Sequence, residues 1–390
     1  SGTDAHLIAA ELFAGPSAAP TLCIDVEPEE TGSGVPRALA GRHFSGWTAL
    51  GSPVVEGAAA SSGGTEFAAL AAREPDGTLR ADAEVEAGLD ALVHQAARAG
   101  RRALLTVADV SKTGLISPGL DAVLAVRRRY AGVLEVMVDA CQFRLSPASL
   151  KAYLDLGFLV AVTGSKFLCG PTFSAALLVP ERLAEALRKR LPRSGLRAYS
   201  AAAEWPADWI ARAALTEAAN FGLLLRWEAA LAELRTFRAL PDAASRAFAA
   251  GFAEAVQGRL AADPAFELLP IRPPDRRAIG AADDGWDAFP TIFPFLLRHT
   301  EGPHDGGFLS VAATRDVYRS LISAPSPVML GQPVACGERR GRPISALRLC
   351  NSARLMVDGA ADGEGVIART LGALDAVAAV AGAMSRTGRV

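Results

Sequence analysis

Short apolar runs alternate with amphipathic helical stretches through the first half of this 390-residue chain. Such alternation is typical of a mostly parallel β-sheet with helices packed on its faces. The predicted strands are Thr21–Val26, Ala103–Val107, Leu134–Val138, Phe158–Thr163 and Ser174–Val179. The predicted helices are Ala83–Ala99, Gly119–Tyr130, Pro147–Leu156 and Arg182–Arg190. The fold class that follows is α/β, with a mostly parallel sheet sandwiched by helices.

The second half of the chain leaves this pattern. A long helical stretch from Ala207 to Ala239 is predicted first, and the Leu240-Pro241-Asp242 break follows it. The later predicted elements are a helix Ala244–Leu260, strands Phe266–Pro270, Phe289–Arg298 and Ala346–Cys350, loops Ile271–Asp287 and Gly331–Pro343, and a last helix from Gly365. We therefore predict a large α/β domain over 1–239 and a smaller C-terminal α+β domain over 240–390.

Composition and charge argue against several classes of protein. With 50% hydrophobic residues and a net charge of −2, the chain resembles neither a disordered protein nor a dedicated nucleic-acid binder. The five cysteines are widely spaced and contain no CxxC pair, so neither a disulfide framework nor a metal site is predicted. No apolar run reaches the length of a membrane span. We expect a cytoplasmic protein with reduced thiols and with neither membrane nor nucleic-acid partners.

Lysine occurs at only four positions, so chemistry that needs an amine has few candidates. Lys189 lies between two arginines, Lys151 lies near the start of a predicted helix, and Lys112 lies in a predicted loop. Lys166 alone follows a buried-type strand and precedes an apolar pair. An apolar pocket lowers the pKa of an amine by desolvation, which leaves part of it unprotonated near neutral pH. Lys166 is therefore the candidate for amine chemistry.

Polar side chains follow the predicted strands at their carboxyl ends, where open α/β sheets bind ligands. They are Asp139 and Gln142 after one strand, Thr163, Ser165 and Lys166 after the next, and Ser111 and Lys112 after a third. Ser1-Gly2-Thr3 opens the first helical pattern of the chain. A helix N-terminus rich in hydroxyls and glycine is a ready anion site. The sequence thus predicts a polar site that includes a place for an anion.

Five segments carry a resemblance to a known family. They are Ser1-Gly2-Thr3-Asp4, Ser111-Lys112-Thr113-Gly114, Val138-Asp139-Ala140-Cys141-Gln142, Thr163-Gly164-Ser165-Lys166 and Ala346-Leu347-Arg348-Leu349. In this order over nearly the whole chain, the set resembles pyridoxal-phosphate-dependent enzymes of fold type I, within the class V aminotransferase and cysteine desulfurase superfamily. That family has a segment before its phosphate-binding turn. The resemblance therefore implies that an upstream N-terminal segment is missing from this chain.

The resemblance implies a role for each matching residue. Pyridoxal 5'-phosphate would be the cofactor of the 1–239 domain, joined to Lys166 as a Schiff base, with Asp139 at the pyridine nitrogen. Arg348 would bind a substrate α-carboxylate, for which a planar guanidinium is suited. The other implied cofactor contacts are Ser1, Gly2, Thr3, Thr163 and Ser165 at the phosphate, Gln142 near the 3-hydroxyl, Ser111 beside the ring where relatives often carry asparagine, and Thr216 at the phosphate of the other subunit.

Simpler interpretations stay open for several of these residues. Asp139 is a candidate helix N-cap, and Gln142 is a candidate solvent-facing side chain. The hydroxyl residues at the implied phosphate site are of the kind that merely cap helices. Thr216 also fits an exposed turn of its predicted helix. Arg354 competes with Arg348 for the carboxylate-binding role.

Two departures from the family pattern narrow the activity. The segment 29–34 lacks the histidine or aromatic residue that relatives usually place over the cofactor ring, and His43 or Trp47 would have to fold back to cover it. One desulfurase branch has its catalytic cysteine two residues before a Gln-Pro pair, and Leu330 occupies that position here. Cys336 is nearby but displaced. A cysteine desulfurase is therefore disfavoured.

The main hypothesis is a pyridoxal-phosphate-dependent enzyme that acts on an amino acid or amine through Lys166, most simply by aminotransferase-type chemistry. A pyridoxal-phosphate-dependent lyase is the first alternative, because both reactions begin with the same steps. A non-catalytic binding or regulatory protein of the same fold is the second. Nucleotide-binding and hydrolase functions lack their motifs, since the sequence has no GxGxxG after a strand and no GxSxG. The resemblance also implies a homodimer with shared active sites.

Overall fold

The computed structural model describes residues 1–16, 18–61, 63–191, 194–281, 284–300 and 307–386. Its first sheet contains β1 (Thr21–Val26), β2 (Thr65–Leu70), β3 (Ala103–Ala108), β4 (Leu134–Ala140), β5 (Leu159–Thr163) and β6 (Ala175–Leu178). The strand order is β2-β1-β3-β4-β5-β6. The first five strands pair in parallel, and β6 is antiparallel to β5. The predicted α/β class with a mostly parallel sheet is confirmed.

Helices cover both faces of this sheet. They are α1 (Gly2–Phe13), α2 (Val35–Leu39), α3 (Asp82–Arg98), α4 (Leu120–Arg129), α5 (Pro147–Asp155) and α6 (Glu181–Leu187). Alternate residues of a strand point to opposite faces. Val136 and Val138 of β4 therefore pack in one apolar cluster with α3, α4 and α5, whereas Met137 packs in another with α1 and α6. Burial on both faces explains why these strands are apolar without interruption.

A second, antiparallel sheet forms from the later part of the chain. Its strands are β7 (Phe266–Leu268), β8 (Ile292–Leu297), β9 (Gly331–Arg339) and β10 (Arg342–Cys350), in the order β7-β8-β10-β9. Its helices are α7 (Phe221–Arg238), α8 (Asp242–Ala262), α9 (Val311–Ile322), α10 (Ala353–Ala361) and α11 (Gly363–Arg386). The predicted domain boundary at 239 and 240 falls between α7 and α8, and the division itself stays a prediction.

The turn after β5 belongs to the core of the second sheet. Phe167 and Leu168 are both 1% exposed and lie in the same apolar cluster as Phe293 and Phe295 of β8. The ring of Phe167 stacks on Trp286 with 4.7 Å between their centroids. Apolar packing against the second sheet thus holds in place the turn that follows β5 of the first sheet.

The predicted long helix over 207–239 is wrong in its first half. The chain forms a short 3-10 turn at Ile210–Ala214, and α7 begins only after Asn220. The side chain of Asn220 accepts the backbone N–H of Leu223 at 3.0 Å, which is a helix N-cap contact. The hydrophobic pattern of the sequence continues across this helix start. The pattern alone therefore predicts one long helix where the chain forms a turn and then α7.

The predicted loop over Gly331–Pro343 is also wrong, because it contains β9 and its hairpin turn. Arg340 and Gly341 have φ of 53° and 72°, the left-handed backbone that a two-residue hairpin loop requires. Pro333 is tolerated because β9 lies at the edge of the described sheet, where it pairs with β10. Strand β2 and helix α9 were also not predicted from the sequence.

Helix α11 is the one helix in the described part of the chain that is long and apolar enough to cross a membrane, which corrects the prediction that no segment reaches that length. That evidence rests on length and composition, and it is weak because a core helix passes the same test. Val366, Leu374, Val377 and Ala381 of α11 are buried in the apolar cluster of the second sheet. The expectation of no membrane partner stays a prediction.

Candidate active site

The carboxyl ends of β4 and β5 and the first turn of α1 meet at one edge of the parallel sheet. Ala140 of β4 pairs with Val162 of β5. A Cβ at Gly2 would lie 2.8 Å from Sγ of Cys141 and 3.4 Å from Cγ2 of Thr163, so α1 approaches this closely only because residue 2 is glycine. The hydroxyl of Thr163 donates to the carbonyl of Cys141 at 2.6 Å and joins the two strand ends. Three of the five sequence segments that resemble the family, those at 1–4, 138–142 and 163–166, are thus neighbours in space.

Asp139 lies near the end of β4, where its carboxylate stays charged. Its Oδ1 accepts the backbone N–H of Cys141 at 3.0 Å, and its Oδ2 lies 3.3 Å from Nε2 of His6. Desolvation by burial opposes ionisation, but the nearby charge of His6 and the hydrogen bond from the N–H of Cys141 outweigh it. They lower the pKa of Asp139 to about 2. Asp139 therefore offers a permanent negative charge at the sheet edge.

Lys166 lies in the turn after β5, on the same side as Asp139. The backbone N–H of Phe167 donates to the carbonyl of Gln142 at 3.2 Å, which fixes this turn to the end of β4. The side chain is accessible to solvent in the single chain, yet desolvation by its neighbours lowers the pKa of the amine. The positive charge of Arg348 lowers it further, although the Cys141 thiol opposes the shift. In the described part of the chain, the lysine that pairs with a carboxylate is Lys151.

Two glycines let α7 pack against the Lys166 turn. A Cβ at Gly164 would lie 2.4 Å from Cβ of Ala230, and a Cβ at Gly170 would lie 2.7 Å from the same atom. Both distances are far below van der Waals contact, and Ala230 is fully buried. The N–H of Gly170 donates to the carbonyl of Gly164 at 2.8 Å and closes the turn. The position of Lys166 therefore depends on close backbone packing.

Arg348 of β10 brings a further positive charge to this region. Its Nε and Nη2 donate to the carbonyl of Gln332 at 3.2 and 3.0 Å, and its Nη1 donates to the carbonyl of Lys112 at 3.3 Å. These partners are uncharged, so its charge has no carboxylate partner among the described residues. Desolvation and then the charge of Arg348 lower the pKa of Lys112, as they do that of Lys166. Three cations gathered in this way favour an anionic ligand.

The first turn of α1 contains the other predicted phosphate contacts. Ser1 is the N-cap, and its hydroxyl accepts the N–H of Asp4 at 3.4 Å. The first N–H groups of a helix have no intrahelical partner and attract anions. Thr3 is partly exposed in this turn, close to Gly34.

Two predicted contacts lie beside the Lys166 turn. Ser165 precedes Lys166 directly, and Gln142 follows the end of β4. Both are partly exposed, so neither side chain is committed to the core. Their contacts with a cofactor stay predictions.

Two further predicted cofactor contacts are Ser111, which is buried, and Thr216, which is exposed. Ser111 is buried, and its hydroxyl donates to Glu30 at 2.5 Å in a group that also holds Arg73. Thr216 is exposed in the irregular segment before α7, so its expected place on a helix is wrong. Its carbonyl accepts the N–H of Ala202 at 2.9 Å. The cofactor roles of both residues stay predictions.

His43 and Trp47 are the two residues considered for covering the cofactor ring, and the structure shows the surroundings of each. The ring of His43 stacks on Tyr199 with 5.8 Å between centroids, and its Nδ1 lies 2.7 Å from the Tyr199 hydroxyl. Trp47 is 62% exposed and lines a large groove. Neither His43 nor Trp47 is therefore assigned to cover the face of the cofactor ring.

The candidate cysteine chemistry finds no support in the surroundings of Leu330 and Cys336. Leu330 is buried in the apolar cluster of the second sheet. Cys336 is buried in β9, and desolvation raises the pKa of its thiol to about 11. Because the thiolate is the nucleophile, a thiol with a raised pKa is poorly reactive.

The sequence analysis assigned no role to His6, a residue of this region. His6 is buried in α1 together with Ala5 and Leu7, and a polar residue within such an apolar stretch is a signal for a buried polar contact. Lys112 was predicted at the polar site, but as a loop residue it was not a candidate for amine chemistry. Within the described residues, no group of three or more His, Cys, Asp or Glu side chains is placed to hold a metal ion.

The fold is that of pyridoxal-phosphate-dependent enzymes of fold type I. No protein-family model matches the sequence, and no curated protein matches it. A serine palmitoyltransferase variant solved with pyridoxal phosphate is similar over 98% of this chain and 72% of its own, with a TM-score of 0.54 and 15% identity. The serine palmitoyltransferase of Sphingomonas wittichii has a TM-score of 0.52 and 14% identity over the same shares, 98% and 72%.

A third similar structure is a cystine C–S lyase, C-DES, solved with its product cysteine persulfide. It has a TM-score of 0.55 and 15% identity, and the match covers 95% of this chain and 79% of the lyase. At such low identity, these likenesses establish the fold and leave the reaction open.

Proposed function

We propose that this chain is a pyridoxal-phosphate-dependent enzyme that acts on an amino acid or amine, most simply as an aminotransferase. One observation carries the proposal. The amine of Lys166, with its lowered pKa, and the charged carboxylate of Asp139 lie at the same sheet edge, beside the first turn of α1. A structure with this fold has been solved with pyridoxal phosphate, which is what makes the cofactor the natural ligand to propose.

The chemistry of the residues fits this cofactor group by group. An aldehyde needs a partly unprotonated amine, and the lowered pKa of Lys166 favours that form. A protonated ring nitrogen needs an anion, which Asp139 supplies. A phosphate needs N–H donors at a helix start, which Gly2 and Thr3 supply. Gln142, Thr163 and Ser165 would complete the contacts from the ends of β4 and β5.

The residues of this chain would then have the following tasks. Lys166 would hold the cofactor and later move the proton at the substrate Cα. Asp139 would keep a proton on the ring nitrogen, and Arg348 would bind the substrate carboxylate. When bound, the cofactor supplies an electron sink for the bond that breaks at Cα.

Two alternatives remain under this proposal. A lyase reaction is favoured by the similarity to the cystine C–S lyase. Both reactions share the proton transfer by Lys166, and the bond that breaks depends on how the substrate is oriented. A non-catalytic binding protein would have no need for an amine with a lowered pKa beside a permanently charged carboxylate.

The proposal includes a homodimer with shared active sites. A groove of ≈ 1370 Å³ runs beside the first turn of α1 and is lined by Trp47, Phe173, Trp205 and other apolar residues. On α7, Leu224 and Leu225 are exposed. Exposed apolar side chains such as these are of the kind that a second copy of the chain would cover. Thr216, just before α7, would then be near enough to serve the other subunit.

Titration of the cofactor-free protein with pyridoxal phosphate tests the proposal. We expect a visible absorption band that survives dialysis in the wild type and is lost in Lys166→Ala. Lys151→Ala is the matched control, because Lys151 is exposed and pairs with Asp155 on the protein surface. The same dialysis-stable band in Lys166→Ala would reject the assigned role of Lys166.

A single-turnover experiment separates the possible reactions. Without a keto-acid acceptor, an aminotransferase stops after one keto acid per active site, whereas a lyase continues. A panel of amino acids that gives neither product would favour the non-catalytic alternative.

A further inference from the structure

His6 lies directly behind Asp139, in the interior of the protein. Its side chain is 1% exposed, at the contact between α1 and the first sheet. Its Nδ1 lies 2.8 Å from the carbonyl oxygen of Gly2, and its Nε2 lies 3.3 Å from Oδ2 of Asp139. The imidazole thus bridges the first turn of α1 and the end of β4.

Both nitrogens of this imidazole face an oxygen that can only accept a hydrogen bond. The carbonyl of Gly2 has no proton to donate, and neither has an ionised Asp139. A neutral imidazole carries one N–H, so one of its nitrogens would direct a lone pair at an acceptor. The imidazolium has two N–H groups, of which one can donate to the Gly2 carbonyl and the other lies on the side of Asp139. The 3.3 Å approach of Nε2 to Oδ2 is an ion-pair contact and not a hydrogen bond of good geometry. A protonated His6 is therefore the form that this geometry favours.

Asp25 of β1 is a second carboxylate near this imidazole. It is 1% exposed, and its Oδ2 accepts the hydroxyl of Thr31 at 3.0 Å. Its Oδ1 is buried without a hydrogen-bond partner. Desolvation raises the pKa of Asp25 to about 7, and the charge of His6 opposes that rise. A buried unpaired oxygen of this kind is best tolerated beside a positive charge.

The polar groups that face His6 favour its positively charged form. Desolvation lowers the pKa of His6, but the carboxylate of Asp139 and the Gly2 carbonyl raise it above its usual value, and Asp25 adds to the rise to the extent that it is ionised. Cys141, whose N–H binds Asp139, has a thiol with a pKa raised well above its usual value and adds no charge near neutrality. Positive charge on His6 is thus stabilised from both α1 and the sheet.

We propose that His6 is a positioning residue, held as an imidazolium, that keeps Asp139 ionised and oriented for the ring nitrogen of the cofactor. The inference rests on the proposed function for the identity of that cofactor. The charge of His6 lies 3.3 Å from Oδ2 of Asp139 while the N–H of Cys141 donates to Oδ1, so both carboxylate oxygens are engaged and the orientation of the carboxylate is restricted. The charge of the imidazolium also prevents Asp139 from taking up the proton that the ring nitrogen needs.

Nuclear magnetic resonance of the cofactor-free protein, labelled with ¹⁵N-histidine, tests the charge. The resonances of His6 are those that disappear in His6→Asn. We expect both nitrogens of His6 to be protonated at pH 7 in the wild type, and the pKa of His6 to fall in Asp139→Asn. A neutral imidazole in the wild type at pH 7, or a titration that Asp139→Asn leaves unchanged, would overturn the inference.

Binding of two cofactor analogues separates positioning from mere structural support. Pyridoxal phosphate carries the ring nitrogen, and 1-deazapyridoxal phosphate has a C–H group in its place. Asparagine can still bond the Gly2 carbonyl but carries no charge. We expect His6→Asn to weaken the binding of pyridoxal phosphate by about tenfold or more, as for loss of a charge-assisted contact, and to leave the deaza analogue nearly unchanged.

Equal weakening of both analogues would mean that His6 only supports the fold, and it would overturn the inference. His94→Asn is the matched control, because His94 is exposed on α3 and should alter neither affinity. If the wild type bound neither analogue, the proposed function would fail, while the resonance experiment would still decide whether His6 and Asp139 form a charged pair.

Discussion

The neighbours of Asp139 and of Lys166 have different effects on the charge of each side chain. Burial disfavours charge on both side chains. Asp139 keeps its charge because His6 and the N–H of Cys141 stabilise it. Lys166 has the positive Arg348 as the largest charged influence, so its amine loses its proton more easily than a free lysine. A charged acid and an amine of reduced basicity are the pair that the proposed cofactor requires.

Replacing Arg348 tests the assignment of the substrate carboxylate. Arg348→Ala should weaken the binding of an amino acid by about 10- to 100-fold, the loss expected for hydrogen bonds to a charged group. It should have little effect on the matching amine that lacks the carboxylate. Measured KM values for the two substrates check this difference.

Arg354 provides the control for that experiment. It is exposed and pairs with Glu233 on the protein surface. Arg354→Ala should therefore leave both KM values unchanged. If Arg348→Ala impaired the amino acid and the amine equally, the carboxylate role of Arg348 would be wrong.

Among the secondary-structure elements, the contact between α7 and the Lys166 turn is the most sensitive to side-chain size. Gly170 lies against the backbone of Gly164 and against Ala230, with no room for a Cβ. Gly170→Ala should lower the free energy of unfolding by about 1–3 kcal/mol, the usual cost of overpacking. It should also weaken cofactor binding, because the turn that carries Lys166 must shift. Thermal denaturation and cofactor titration measure the two effects.

Gly251 on α8 is a suitable control for Gly170, because a Cβ there would meet no atom within 4 Å. Gly251→Ala should raise the free energy of unfolding by up to about 1 kcal/mol, since alanine favours a helix more than glycine does. A Gly170→Ala protein as stable as the wild type would show that the packing described for the turn is incorrect.

Sequence periodicity predicted the parallel sheet well because its strands are buried on both faces and read as continuous apolar runs. Strand β2 was missed because it is an edge strand with Glu66 exposed, which weakens that signal. Strand β9 was missed because its glycines and Pro333 are typical of loops. Local patterns predict buried elements better than edge elements, since an edge depends on its pairing partner.

The candidate site was predicted less completely, for a physical reason. Asp139 and Lys166 follow strands directly, so position along the chain was enough to propose them. The contact between His6 and Asp139 joins residues far apart in sequence, and it depends on how α1 packs on the sheet. The hydrogen bond from Ser111 to Glu30 is also a tertiary contact, and the spacing of nearby residues in the sequence does not indicate it.

At the scale of the whole molecule, the single chain leaves apolar side chains of α7 exposed to solvent. Leu225 of α7 is 67% exposed and lies close in sequence to residues that line the large groove. We expect the wild type to have twice the mass of one chain by light scattering. Leu225→Glu should shift the protein toward the monomer, because a charge at an apolar interface is costly.

Met329→Glu is the control for this prediction, because Met329 is an exposed apolar residue before β9, outside α7. It should leave the mass unchanged. A wild-type protein that is monomeric at all concentrations would contradict the proposed homodimer.

The most direct test of the central claim is chemical reduction of the cofactor-loaded protein, followed by peptide mapping. Borohydride fixes pyridoxal phosphate to the amine that holds it. The account predicts one modified peptide, which carries the added mass on Lys166 and leaves Lys112, Lys151 and Lys189 unmodified. Modification at another lysine, or at none, would contradict the account.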